Sequence, residues 1–164
     1  GFSARKGTKP MFDFVTLPGG LRLAGERLTH VRSCTVGVWV RVGSMNELPE
    51  ENGLSHFIEH MVFKGTQNRS ARDIAEEMDL AGGQLNAFTS KECTCFYAKV
   101  TDDELPLAVD ILSDLALRPV FDAGELEKER GVVLEEIAMV MDENPNTIKS
   151  RLYRTLKELQ VKMA

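Results

Sequence analysis

Cysteine is scarce in this sequence, three residues in 164. Cys34, Cys93 and Cys95 are an odd number and build no disulfide framework. Cys93 and Cys95 stand two apart in a strand-like stretch, so they share a face and can both reach a metal. The plainer reading is small buried hydrophobes in a reducing compartment. Long apolar runs are missing too: none approaches the roughly 18 residues of a membrane helix, so no membrane span is expected. Positive charge is short, with 20 Lys and Arg against 25 Asp and Glu and a net charge of -5. That excludes the basic face of a nucleic-acid binder. The chain opens without an initiator Met or an apolar signal-peptide core. Residues 1–10 are therefore expected to be a cloning remnant, a processed end or a leader remnant. No repeat or low-complexity segment is visible.

What is present suits one domain or a large part of a bigger one: 43% hydrophobic residues, enough for a core, and an ordinary 27% charged. Met11 to Val15, the turn Pro18-Gly19-Gly20 and Leu21 to Leu28 predict a hairpin opening a sheet. His30 follows in a connection and reads as an exposed loop residue. Thr35 to Val42 is β-branched and densely apolar, the pattern of a buried strand. Asn46 to Gly53 reads as a loop. A helix is expected over Leu54 to Phe63, with Gly65 as its C-cap. Ser70 with Asp73 opens a second helix whose inner face is Ile74, Met78 and Ala81, stopped by Gly82-Gly83. Gln84 to Ser90 and Glu92 to Val100 read as two strands. Thr101 to Glu104 resembles a capping box for a helix packing through Leu105, Val109, Leu112 and Leu115, closed by Arg118-Pro119. Asp122 with Glu125 caps a long helix to about Met141, packing through Leu126, Val133, Leu134, Ile137 and Val140. Asn144-Pro145 restarts an amphipathic helix. The sum is an α+β fold, a mostly antiparallel sheet with helices packed largely on one face. Residues 11–145 form the domain, and residues 146–164 are a C-terminal helix of uncertain origin.

The chemistry concentrates in Leu54 to Phe63. On a helix, His56 and His60 lie about 40° apart around the axis and one turn apart along it. Glu59 falls on the same side, roughly 60° from His56. Two convergent imidazoles and a neighbouring carboxylate are what metal-assisted hydrolysis asks for: ligands, an open position for water, and a base. The order H-x-x-E-H is that of inverzincins. The bland alternative is a pair of core histidines meeting by chance of spacing. Two histidines leave a zinc site one protein ligand short. The helix from Asp122 offers Glu125, Glu127, Glu129, Glu135 and Glu136, most of them an ordinary solvated face. Glu129 and Glu136 are two turns apart on roughly one face, so one can bind the metal while the other supports a ligand. Periodicity alone leaves open which does which.

Four motifs in order now carry a resemblance. They are His56-Phe57-Ile58-Glu59-His60, Phe63-Lys64-Gly65-Thr66, Gly82 to Thr89, and Glu129 to Ile137. The stretch from about Phe12 to Asn144 resembles the pitrilysin and mitochondrial processing peptidase family, above all its bacterial processing-peptidase-like members. The resemblance implies a zinc endopeptidase with one Zn2+ per chain. His56, His60 and the glutamate 76 residues after His60, which is Glu136, would be its ligands. It assigns Glu59 as the base acting on a zinc-bound water and Glu129 as support for a histidine ligand. Asn86, Ala87, Phe88 and Thr89 would pair main chain to main chain with a peptide or unfolded polypeptide substrate. Without the resemblance that stretch is an ordinary sheet edge. Family members continue well beyond this length, and the segment from Asn146 departs from their pattern. A truncated portion is therefore expected, one that self-associates or needs a complementary second half. The alternative function is a metal- and peptide-binding fragment without turnover. A bacterial cytoplasmic setting is implied, with the mitochondrial matrix as alternative.

Overall fold

The computed structural model describes residues 12–141. The stretches 1–10 and 146–164, set apart above, lie outside the described residues. The chain divides into two units, residues 1–32 and 33–164.

The first unit is a hairpin. Strand β1 (Phe12–Thr16) pairs antiparallel with β2 (Arg22–Glu26), from Phe12 opposite Glu26 to Thr16 opposite Arg22. Gly19 and Gly20 take positive φ in the turn, 102° and 88°, which only glycine adopts without strain. The hairpin is as expected, but β1 and β2 form a two-stranded sheet of their own. His30 is exposed in a turn.

The second unit holds a three-stranded antiparallel sheet in the order β3-β5-β4, made by β3 (Ser33–Val40), β4 (Gln84–Thr89) and β5 (Thr94–Thr101). Alternation puts Val36, Val38, Leu85, Ala87, Phe96, Ala98 and Val100 on one face. Over that face, helices α2 (Ala71–Leu80) and α3 (Leu105–Leu117) supply Ile74, Met78, Ala108, Ile111, Leu112 and Leu115, and Val62 joins them. A second, smaller cluster joins helices α1 (Leu54–Val62) and α4 (Ala123–Met141) through Phe57, Met61, Val133, Leu134 and Ala138. The class is the expected one: antiparallel sheet with helices on one face. Among the described residues no helix is long and apolar enough to cross a membrane.

Several local expectations are corrected. Strand β3 is an edge strand, and Trp39 on its outer face is 65% exposed, so apolar density did not mean burial on both faces. The central position belongs to β5, whose residues are buried from Thr94 to Phe96. The loop before α1 contains two short 3-10 turns, Ser44–Asn46 and Pro49–Glu51. Gly65 is not the cap of α1, whose C-cap is Phe63; its φ of 138° serves a β-bridge to Ser70. Thr101 makes no side-chain cap, because a 3-10 turn, Asp102–Glu104, intervenes before α3. Val109 is 44% exposed while Ala108 and Ile111 take the inner positions. The capping box Ser70/Asp73 forms as expected, and Asp122 Oδ1 accepts from the amides of Gly124 and Glu125 to start α4.

Candidate metal centre

Helix α1 begins in an unusual way. Its N-cap, Gly53, has φ of 95° and no capping side chain. The carboxylate of Glu47, six residues before that N-cap, does that work: Oε2 accepts from Gly53 N and Oε1 from Ser55 N, both at 2.7 Å. A negative group there also meets the positive end of the helix dipole. Segment 43–45 is in turn clipped to the β4–β5 turn, since Ser44 N and Met45 N donate to the carbonyls of Ser90 and Lys91. A side chain at Gly43 would collide with both carbonyl oxygens, so the close approach requires glycine. Phe57 and Met61, both buried, then seat α1 against α4.

That seating brings side chains from two helices together. His56 Nε2 lies 3.2 Å from His60 Nε2, and Glu136 Oε2 lies 3.4 Å from His60 Nε2 and 3.9 Å from His56 Nε2. Two ring nitrogens and one carboxylate oxygen thus face a common point, and they can hold a metal ion. A tetrahedral zinc with bonds of about 2.0–2.2 Å separates its ligand atoms by roughly 3.3–3.6 Å, close to these spacings. The donor set also suits it, two imidazoles and a carboxylate being a known catalytic zinc combination.

Glu129 sits two turns before Glu136, and its Oε2 is 3.4 Å from His60 Nδ1. With a proton on Nδ1 that oxygen would accept it, and Nε2 would be free for the point shared with Glu136 and His56. Glu129 is buried, and its other oxygen is ion-paired with Lys64. Burial pushes its carboxyl up, but the hydrogen bond and charge of Lys64, with His60 adding to both, outweigh that and hold it below the usual range. Glu135 is exposed and takes no part in the cluster.

Glu59 is half-buried, and the Thr89 hydroxyl donates a hydrogen bond to its Oε2. Thr89 ends β4, the strand at the other edge of the sheet. Ser90 N bonds Cys93 O across the turn, and the register then directs the main-chain groups of Phe88, Asn86 and Gln84 inward to β5. The groups of Leu85, Ala87 and Thr89 point to the open edge. There the Ala87 amide donates to the Asn86 side chain, 2.8 Å away. Phe88 lies on the outer face, its ring edge-to-face with Trp39 at 5.5 Å and tilted to Tyr97 at 6.3 Å. Cys95 is buried between Trp39 and Phe88 in register. Burial pushes its thiol up, and neither it nor Cys93 approaches the His56–His60 cluster. The contacts of Glu47, Lys64 and Thr89 were not visible in sequence, for each bridges segments whose register only the fold sets.

Residues 22–163 match the family described as Insulinase (Peptidase family M16). The match takes in the stretch after Asn146 that departed from the expected pattern. Over 127 residues, 77% of this chain, the sequence is 54% identical to YmxG of Bacillus subtilis, an uncharacterized zinc protease, and covers 31% of it. It is 45% identical over 130 residues to the mitochondrial-processing peptidase subunit beta of Saccharomyces cerevisiae, covering 77% of this chain and 28% of that one. The fold is similar to the crystal structure of a protease from Helicobacter pylori, with a TM-score of 0.75 and 30% identity over 79% of this chain and 32% of the other. The chain thus spans about a third of the length of these relatives. It belongs to the insulinase family of peptidases, family M16.

Proposed function

We propose that this chain carries the metal centre of a zinc metalloendopeptidase acting on extended or unfolded polypeptides. The observation that supports it most is the triangle of His56 Nε2, His60 Nε2 and Glu136 Oε2, with sides of 3.2, 3.4 and 3.9 Å. These three residues would hold one zinc ion per chain. Bound zinc acts as a Lewis acid, acidifying water and polarising a carbonyl. Glu59, one residue before His60, is the base that accepts the proton of the attacking water. Thr89 fixes which way that carboxylate faces by donating to Oε2. Glu129 holds His60 through Nδ1 so that Nε2 stays free to ligate. A substrate strand pairs with the open edge of β4, using the outward main-chain groups of Leu85, Ala87 and Thr89 while Asn86 releases the Ala87 amide. Phe88 and Trp39 offer an apolar surface beside it.

The test is metal analysis of the purified chain together with carboxamide variants. About one zinc per chain is expected, lost in Glu136→Gln and kept in Glu135→Gln and Glu59→Gln. The opposite behaviour of the two neighbours, zinc lost with Glu135 and retained with Glu136, overturns the ligand assignment. A second reading, a metal- and peptide-binding portion without turnover of its own, is favoured by one fact. The chain spans only about a third of the length of these relatives.

A further inference from the structure

We infer that Lys64 is a positioning residue of the metal centre, aiming Glu129 at His60 so that His60 presents Nε2. The inference rests on the reading of His60 as a ligand. Lys64 follows α1 by two residues, in a turn closed by its amide on the Met61 carbonyl at 3.0 Å. Its ammonium pairs with Glu129 Oε1, while Glu129 Oε2 faces His60 Nδ1 at 3.4 Å. Each carboxylate oxygen therefore has one assigned partner. A carboxylate with a single partner turns about its terminal torsion, which has a broad, roughly two-fold profile. Anchoring one oxygen fixes the other.

The setting makes this anchor effective. The Glu129 side chain is only 12% exposed and that of Lys64 29%, so water competes little for either. The pair also joins the end of α1 to the middle of α4, the two helices whose side chains face each other in the cluster. The ion pair of Lys64 is with Glu129 and not with a candidate ligand, which routes its influence through Glu129.

The plain alternative is that Lys64 only neutralises a buried carboxylate and stabilises the fold. The two are separated on the 164-residue chain by zinc affinity, measured against a chelating dye, across single and double variants. Lys64→Met should weaken zinc by about 10–100-fold, the usual cost of losing a partner behind a ligand. Lys64→Arg, which keeps the charge and the donors, should stay within about threefold of wild type. Because the effect passes through Glu129, Lys64→Met/Glu129→Gln should bind zinc no more weakly than Glu129→Gln alone. That comparison decides the matter if Lys64→Met alone fails to fold, since the double variant buries no unpaired charge. Wild-type zinc affinity in a folded Lys64→Met, or a double variant clearly weaker than Glu129→Gln, overturns the inference. Those results leave the metal reading intact, whereas absence of zinc from the wild type removes both.

Discussion

The Thr89 hydroxyl donates its proton to Glu59 Oε2, tying the last residue of the edge strand β4 to the middle of helix α1. The strand proposed to receive substrate and the carboxylate proposed to act on water are therefore one connected unit. Thr89→Val keeps the shape and removes the donor. It should leave zinc binding within about twofold, because no ligand changes. Peptide hydrolysis should fall by about 10–100-fold, the weight of a hydrogen bond to a charged group. Zinc titration beside a cleavage assay checks both halves, and loss of zinc in Thr89→Val counts against the separation of roles.

Cleavage by the 164-residue chain itself should be weak. Holding a substrate in register and shielding a developing oxyanion need groups on both sides, and losing one such donor costs about 10²–10³ in rate. The open edge of β4 supplies one side. Zinc-loaded chain incubated with a mixture of unfolded peptides, with Glu59→Gln as control, is the measurement. Rapid cleavage abolished by that substitution would show the portion to be self-sufficient.

Self-association is expected at high concentration. Both sheet edges, β3 and β4, are unpaired among the described residues, and Trp39 and Phe88 lie exposed beside them. Sedimentation across a concentration series should reveal it, and Trp39→Lys should reduce it by placing charge on an edge strand.

Asp114 gives a pH signature. It is 1% exposed and accepts hydrogen bonds from Thr66, Asn68, Arg69 and Arg118. Burial raises its carboxyl, but those four donors together outweigh it and hold the group below its ordinary value. A folded-state value lower than the unfolded one adds stability above the unfolded value, and that stability is lost as pH falls. Denaturant midpoints should therefore be flat in this contribution near neutrality and decline from about pH 4 downward. Asp114→Ala removes the acceptor of Thr66 and Asn68 while Arg69 keeps Glu77 and Asp110, and should cost about 1–3 kcal/mol at pH 7. A pH-independent midpoint between pH 6 and about pH 3 contradicts this account.

Glu47→Ala should cost about 0.5–2 kcal/mol, the range for loss of a helix cap. Backbone hydrogen exchange at Gly53 and Ser55 should quicken first, since these amides donate to Glu47.

Much of the site was legible because helices make geometry local. His56 with His60, and Glu129 with Glu136, are placed by the 3.6-residue repeat before any tertiary contact is known. What the repeat cannot supply is the rotation of α4 against α1. That rotation sets Glu136 opposite both Nε2 atoms and Glu129 opposite Nδ1. Strands were less legible for the same reason. Val36, Val38 and Trp39 read as an interior run, yet rank within a sheet depends on long-range pairing, and β5 took the centre. Gly65 read as a helix stop because its positive φ was foreseeable, while the bridge to Ser70 that uses it was not.

The small cluster of Phe57, Met61, Val133, Leu134 and Ala138 has a thermodynamic consequence. It docks α4 on α1, and the same docking assembles the three candidate ligands, so helix docking and ion capture share one equilibrium. An ion at a thousand times its dissociation constant would add about 4 kcal/mol to the docked state. Loosening Val133 or Leu134 lowers ion affinity to the extent that it depopulates the docked state. Methyl-sized changes at Val133, Leu134 or Ala138, which are not themselves candidate ligands, become levers on the affinity of the centre.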